Sequence, residues 1–318
     1  MRPQTEVATA PVEVAAAVIE RGDGSFLLAQ RPDGKPYAGY WEFPGGKIEI
    51  GETPRAALAR ELEEELGIVV ESAYPWITRT YAYTHATVRL HFFRVVQWQG
   101  EPHGREQQAF AWQRAQATTV APMLPANAPV LAALALPNVY AISNAGELGV
   151  AEFLARLDAA LKRGLRLVQF REKAMPAAAA KALLDEVLRR AHAHGARVLV
   201  NSAHVFAGGS AADGVHLTAA DLAAASARPA VGLCAASCHN EAELARATAL
   251  ACDFVVLGPV KATASHPGGQ TLGWTGFGDV ARDSSLPVYA LGGMQGSDLA
   301  AAWERGAHGV AMMRSIWG

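Results

Sequence analysis

Apolar and polar positions follow two different rhythms along the 318 residues. In the first 136, strand-like runs surround one strong helical stretch. Residues 13–20 (EVAAAVIE) and 25–30 (SFLLAQ) predict two strands about the turn Arg21-Gly22-Asp23-Gly24, a hairpin signal. A loop rich in Gly and Pro, residues 31–51, leads into a helix over 54–66. Thr53 is its N-cap, Pro54 takes the first helical position and Gly67 ends it. Aromatic and β-branched runs at 76–84 and 86–97 predict two more strands, and a last helix is expected over 127–136. The expectation is a mixed sheet with few helices, ending near Pro137.

From Val139 the rhythm changes. Short apolar strands are predicted at 139–143, 165–170, 197–200, 213–217, 230–235, 253–258, 287–291 and 308–313, alternating with Ala-rich helical segments. Eight such units predict an α/β fold, a compact (β/α)8 barrel, with a doubly wound open sheet as the alternative. The stretches after Val200 and Leu217 leave little room, so some helices must be reduced.

Composition narrows the setting more than the chemistry. The length suits two domains. Residues 1–137 carry 12 basic and 15 acidic side chains and the remainder 16 and 15, so neither part has the basic excess of a protein that grips a nucleic-acid polymer. The three cysteines (Cys234, Cys238, Cys252) are an odd count that does not read as a disulfide framework, and a reducing cytoplasm is the expected location. No apolar run approaches the roughly 20 residues of a membrane span, and residues 1–11 lack the basic-then-apolar pattern of a signal peptide. Neither a membrane nor secretion is expected, and the sequence is silent on oligomeric state.

Candidate chemistry gathers first in residues 45–68, GGKIEIGETPRAALARELEEELGI. On a helix, Glu61, Glu64 and Glu65 share one face. Like charges at these spacings destabilise an isolated helix, and a divalent cation offsets them directly. Carboxylate oxygens suit Mg²⁺, or Mn²⁺ in its place, with substrate phosphates completing the shell. The competing reading is a solvated Glu-rich face. Ala56, Ala57, Leu58, Leu62 and Leu66 supply the apolar side. His85 and His91 have no third ligand at metal spacing and read as structural.

Gly46, five residues, Glu52, seven residues, then Arg60-Glu61-Leu62-x-Glu64-Glu65-x-Gly67-Ile68 resembles the Nudix box at every defined position. The run Trp41-Glu42-Phe43-Pro44-Gly45-Gly46-Lys47 and the later Pro125-Ala126-Asn127-Ala128-Pro129-Val130 are similar to the MutT type of Nudix hydrolase, over about residues 12–136. The resemblance implies an α/β/α sandwich with a mixed sheet. It also implies Mg²⁺-dependent cleavage of a nucleoside triphosphate to the monophosphate and pyrophosphate, with 8-oxo-dGTP favoured, as in nucleotide-pool sanitation serving DNA repair and replication fidelity. By the same resemblance Glu61, Glu64, Glu65 and the Gly45 carbonyl hold the metal, and Glu106 is a further metal-linked acid near the attacking water. Glu52 and Arg60 pair structurally, and Arg31, Glu42, Phe43, Lys47 and Asn127 contact the nucleotide, Asn127 reading the purine edge. Asn127 also reads as a plain N-cap. The charged pair that the family carries near Thr84-His85-Ala86 is absent.

In the second half Gln169, Arg171 and Lys173 alternate after an apolar strand, which puts them on one side of a strand end, where barrel active sites lie. The run Gln169-Phe170-Arg171-Glu172-Lys173 resembles the Q-x-R-x-K signature of the thiamine phosphate synthase/TenI family. Asn201, Asp213-Gly214-Val215-His216-Leu217, Asp221, Ser237, His239, Gly258-Pro259-Val260 and Leu291-Gly292-Gly293-Met294 follow in order, over about residues 138–318. The resemblance implies a thiazole or thiamine phosphate ligand held by Gln169, Arg171, Lys173, Asn201, Asp221, Ser237, Gly292 and Gly293, with His239 as a proton-transfer residue of the tautomerase type. Synthases have Asn-Asp where this chain has Asn201-Ser202, a lysine where it has His266, and a small residue where it has Arg314. Synthase, tautomerase and non-catalytic binding module therefore stay open for the barrel, including a role in which the first domain clears thiamine diphosphate analogues.

Overall fold

The computed structural model describes residues 10–84, 86–105, 108–263 and 269–318. The readings placed on His85, Glu106, Ser265 and His266 lie outside the described residues. The chain divides into two compact units at Ala132/Ala133.

The first unit contains β1 (Val12–Ile19), β2 (Phe26–Gln30), β3 (Trp41–Glu42), β4 (Gly45–Lys47), helix α1 (Pro54–Leu66), β5 (Val69–Ala82), β6 (Thr87–Gln99) and β7 (Phe110–Gln113). A 3₁₀ turn, Pro125–Asn127, precedes helix α2 (Ala128–Leu134). Two sheets form: a four-stranded one in the order β4-β1-β6-β5 and a three-stranded one in the order β3-β2-β7. The first is mixed, because β1 runs parallel to β6 and antiparallel to β4. The predicted hairpin is corrected here. The turn forms, with Arg21 N–H donating to the Ser25 carbonyl at 2.9 Å, but β1 and β2 share only the bridge Glu20–Phe26. Both edges of β1 are taken by β4 and β6, so the two strands diverge into different sheets.

Helix α1 matches its predicted span. The Thr53 hydroxyl accepts from the Ala56 N–H at 3.2 Å, and Gly67 closes the helix in the left-handed region at φ 66°. Ala57, Leu58, Leu62 and Leu66 are buried with Ala15, Ala17, Ile19, Leu27 and Val95. Each of the three leucines contributes about 1.5–3 kcal/mol to anchoring the helix. Ala56, expected on this face, is exposed. Burial of one face leaves Glu63 and Glu64 exposed, with Glu61 and Glu65 half-buried.

The second unit holds β8 (Val139–Ile142), α3 (Ala145–Leu148), α4 (Val150–Lys162), β9 (Leu167–Phe170), α5 (Ala177–Ala193), β10 (Arg197–Asn201) and β11 (Gly214–Leu217). Then come α6 (Ala219–Ala224), β12 (Leu233–Cys238), α7 (Glu241–Ala249), β13 (Phe254–Leu257), α8 (Gly273–Ala281), β14 (Val288–Leu291), α9 (Leu299–Glu304) and β15 (Gly309–Met312). The eight strands close in the order β10-β11-β12-β13-β14-β15-β8-β9, all parallel. This is the predicted barrel, not the open sheet. As expected, the connection after β10 has only a 3₁₀ turn, Ala207–Gly209, and α6 is six residues long. Side chains alternate along each strand: Tyr140, Ile142, Leu167, Leu199, Ala235, Phe254, Val256, Tyr289 and Ala311 fill the barrel, while Ala141, Val168, Val198, Val255 and Val310 face the helices.

Candidate functional sites

On α1, one guanidinium organises the acidic face. Arg60 grips Glu52 through both carboxylate oxygens at 3.0 Å and also meets Glu61 at 2.9 Å, Glu64 at 3.3 Å and the Lys47 carbonyl at 3.1 Å. These partners hold the Arg60 proton well above its usual range, and Arg60 pulls Glu52 below the carboxylate range. The loop carrying Glu52 is thereby tied to the helix, as expected for a structural pair.

Glu61 is seated rather than free. A Cβ on Gly46 would lie 2.1 Å from its carboxyl carbon, so only glycine lets the carboxylate rest against β4. Gly45 precedes it at φ 143°. Among the described residues no three His, Cys, Asp or Glu side chains converge in metal-binding geometry. Arg60 draws Glu61 and Glu64 to itself. The donor set still fits a hard divalent ion, with hard oxygen donors on one helix turn beside a glycine cradle.

The nucleotide-contact candidates separate. Arg31 and Glu42 form a two-pronged ion pair at 2.6 and 2.7 Å, and burial raises the Glu42 carboxyl despite that cation. Lys47 is exposed beside Gly46. Phe43 is buried, 5% exposed and packed 5.7 Å from both Phe26 and Phe92. Asn127 is buried and its amide donates to the Trp41 carbonyl at 3.0 Å, so it fastens β3 rather than capping a helix. Sequence reading passed over Tyr40, Tyr81 and Tyr83, whose rings join that of Tyr37 in contacts at 4.6–5.4 Å. Burial and the charge of Glu42 push the Tyr83 hydroxyl up to about 12. Tyr37 holds φ 62°, a strained conformation for an aromatic residue. His91 is structural as read, 2.6 Å from Glu13.

In the barrel a cavity of about 540 Å³ opens where the strands end. Gln169, Arg171, Lys173, Asn201, Ser237, His239, Gly292 and Gly293 all line it. Asp221 does not; its carboxylate accepts from the Thr218 hydroxyl at 2.6 Å and from the Ser202 hydroxyl. Among the described lining residues none is acidic, whereas Arg171, Lys173 and Arg314 are cationic. Burial lowers both Arg171 and Lys173, and the charge of Arg171 lowers Lys173 further. Arg314 meets Glu147 at 2.9 Å. Gly292, at φ 108°, has no room for a side chain: a Cβ would lie 2.8 Å from Pro259. His239 is exposed at the cavity rim, its Nδ1 2.9 Å from Glu243. Glu172 points away, accepting from the Ala145 and Gly146 N–H groups at 2.8 and 2.9 Å, as strand alternation requires.

Two interior groups were not read as functional, His216 on the cavity wall and Tyr140 behind it. His216 is 1% exposed, its Nε2 2.9 Å from Ser237 Oγ and its Nδ1 3.2 Å from the Tyr140 hydroxyl. Both lie inside apolar strand runs, yet strand parity points them inward like Gln169.

Comparison with known proteins meets this geometry at both ends of the chain. The family described as NUDIX domain matches residues 10–134, and the family described as thiamine monophosphate synthase matches residues 139–316. The chain belongs to both families. The 8-oxo-dGTP diphosphatase of Haemophilus influenzae is 41% identical over 120 residues, 38% of this chain and 88% of that protein. The CTP pyrophosphohydrolase of Escherichia coli is 41% identical over 122 residues, 38% of this chain and 90% of the other. A Geobacter sulfurreducens protein provisionally named thiamine-phosphate synthase is 35% identical over 183 residues, 56% of this chain and 86% of that one. The chain is thus a Nudix hydrolase domain fused to a thiamine monophosphate synthase-type barrel. Among the described residues no helix is long and apolar enough to cross a membrane.

Proposed function

We propose that the Nudix domain cleaves a nucleoside triphosphate to the monophosphate and pyrophosphate, with 8-oxo-dGTP as the favoured substrate. The barrel, in this reading, binds a phosphate-bearing heterocycle of the thiazole or thiamine phosphate class. The observation that carries the first half is Glu61 seated against Gly46 with Arg60 holding Glu52, Glu61 and Glu64. Glu61, Glu64 and Glu65, with the Gly45 carbonyl and Glu106, would hold Mg²⁺ or Mn²⁺. When bound, that ion neutralises triphosphate charge and acidifies water. Lys47 and Arg31 add cations for the phosphates, and Asn127 offers an amide to the purine edge. For the barrel, three cations on a wall whose described lining residues include no acid favour an anionic ligand, and His239 beside Glu243 is suited to moving a proton.

The test is pyrophosphate release from 8-oxo-dGTP, dGTP and CTP with and without Mg²⁺. Glu65→Gln is expected to abolish release, and Asn127→Ala to raise KM for 8-oxo-dGTP more than for dGTP. Full turnover by Glu65→Gln rules out the metal assignment, and equal KM effects on both nucleotides rule out base reading by Asn127. On the barrel side, thiazole phosphate tautomerisation is assayed against His239→Ala. A wild type that binds the ligand without turning it over makes the barrel a binding module.

A further inference from the structure

Five polar side chains run in line along the barrel interior to the cavity wall. Asn201 Nδ2 lies 3.0 Å from Gln169 Oε1, Gln169 Nε2 3.4 Å from the Tyr140 hydroxyl, Tyr140 3.2 Å from His216 Nδ1, and His216 Nε2 2.9 Å from Ser237 Oγ. The first four are at most 2% exposed, so within the barrel wall they bond to one another, while Asn201, Gln169 and His216 also border the cavity. None of the five is ionised at neutral pH; burial pulls the His216 ring down to about 3 and raises the Tyr140 hydroxyl.

The direction of every bond follows from one group that cannot turn round. The main-chain N–H of Ala203 donates to Asn201 Oδ1 at 3.2 Å. Turning the Asn201 amide over would face two donors there, so its Nδ2 must point at Gln169. That fixes Gln169 with its oxygen toward Asn201 and its N–H toward Tyr140. The Tyr140 oxygen then receives a hydrogen and must send its own to His216 Nδ1. A neutral imidazole that accepts at Nδ1 carries its hydrogen on Nε2. His216 therefore donates to Ser237 Oγ.

We infer that this oriented chain forces the Ser237 hydroxyl to donate its own hydrogen into the cavity, so that the barrel selects a ligand presenting an unprotonated acceptor atom, a ring nitrogen or carbonyl oxygen, at Ser237. Tyr140 and His216 are positioning residues in this arrangement; Ser237 is the group that touches the ligand. A ligand with an N–H or a protonated ring nitrogen at that point meets only the remaining lone pair of Ser237 and leaves the hydroxyl hydrogen without an acceptor, so it binds less tightly. The inference rests on the heterocycle reading of the barrel for its choice of probe, though not for the polarity of the chain.

Two measurements test it in the full-length protein. The first uses ¹⁵N-histidine NMR without ligand from pH 5 to 8, with the His216 ring assigned through its shift in Ser237→Ala. The expected result is a single neutral tautomer with hydrogen on Nε2 throughout; the Nδ1–H tautomer or a charged ring overturns the inference. The second is calorimetric titration with thiazole phosphate and with its thiophene counterpart, which has C–H in place of the ring nitrogen. Wild type is expected to bind the thiazole about five- to tenfold more tightly, the worth of one neutral hydrogen bond. Ser237→Ala should bring that ratio close to one while leaving phosphate binding intact. Tyr140→Phe, which unlocks the tautomer, should lower the ratio and show both tautomers by NMR. Equal affinities in wild type overturn the inference. Failure to bind either probe overturns the thiazole reading of the barrel instead, and the tautomer alone then decides the inference.

Discussion

At the Nudix helix one arginine holds three carboxylates at the surface, whereas in the barrel five neutral side chains hold one another out of water. Glu64 is 62% exposed and Arg60 29%; His216 and Gln169 are nearly sealed. The first arrangement carries surplus negative charge that Arg60 offsets only in part, and a cation from outside would relieve it. The second is bonded internally up to the Ser237 hydroxyl hydrogen and depends on packing. Exposed ion pairs are screened and individually weak, while a buried polar group left unmatched costs the full desolvation of that group. The two sites should therefore fail in different ways, one through loss of activity without loss of fold, the other through loss of stability.

Gly46→Ala gives the largest separation. Its Cβ displaces the Glu61 carboxylate, and Mg²⁺-dependent turnover should fall at least about a hundredfold while circular dichroism and the barrel's unfolding midpoint stay unchanged. Turnover near wild type would show that Glu61 need not sit there. The second effect belongs to the barrel. The unfolded His216 ring takes a proton near pH 6.5 and the folded ring refuses one until about pH 3. Its contribution is fully present above pH 6.5 and is lost as pH falls, about 2 kcal/mol between pH 7 and pH 5. Urea unfolding of the barrel across that range should show the slope, and His216→Gln should flatten it; an unchanged slope would break the contrast drawn here. The smallest effect is at the cavity mouth, where the barrel uses the surface device of the other domain. Arg314 holds the Glu147 carboxyl below its usual range. Glu147→Gln should tighten inorganic phosphate binding about two- to fivefold, and Arg314→Ser should weaken it by a similar factor.

Legibility in the sequence follows the range of the contacts involved. Helix α1 was readable to its end residues because Thr53, Pro54 and Gly67 act within one turn. All eight barrel strands were readable as apolar runs, but β12 begins at Leu233 rather than at residue 230, because the Val231 N–H turns back to the Pro229 carbonyl. Strands β3, β4 and β7 were not foreseen: they are two to four residues long, and partners distant in sequence on β2 and β1 make them strands at all. The long β5 runs through Pro75 with irregular register between Pro75 and Thr78, which broke its pattern into a shorter prediction. At the sites, the Glu spacing and the Gln169-Arg171-Lys173 alternation were legible because period alone sets them. The burial of Phe43 was not legible, because a motif position does not say which way a ring turns. His216 and Tyr140 could have been found by extending the same period-2 parity from Gln169 to the neighbouring strands.

The hydrogen bond from the Ala203 amide to Asn201 has an evolutionary reading. A main-chain N–H is present whatever side chain follows it, proline apart, so drift at position 203 leaves the donor sense of Ser237 untouched. Reversing that sense would require several interior residues to change together, through intermediates that each bury a mismatched pair. The acceptor preference of this cavity is thus inherited with the backbone, while the charged residues around its mouth are free to be retuned one at a time.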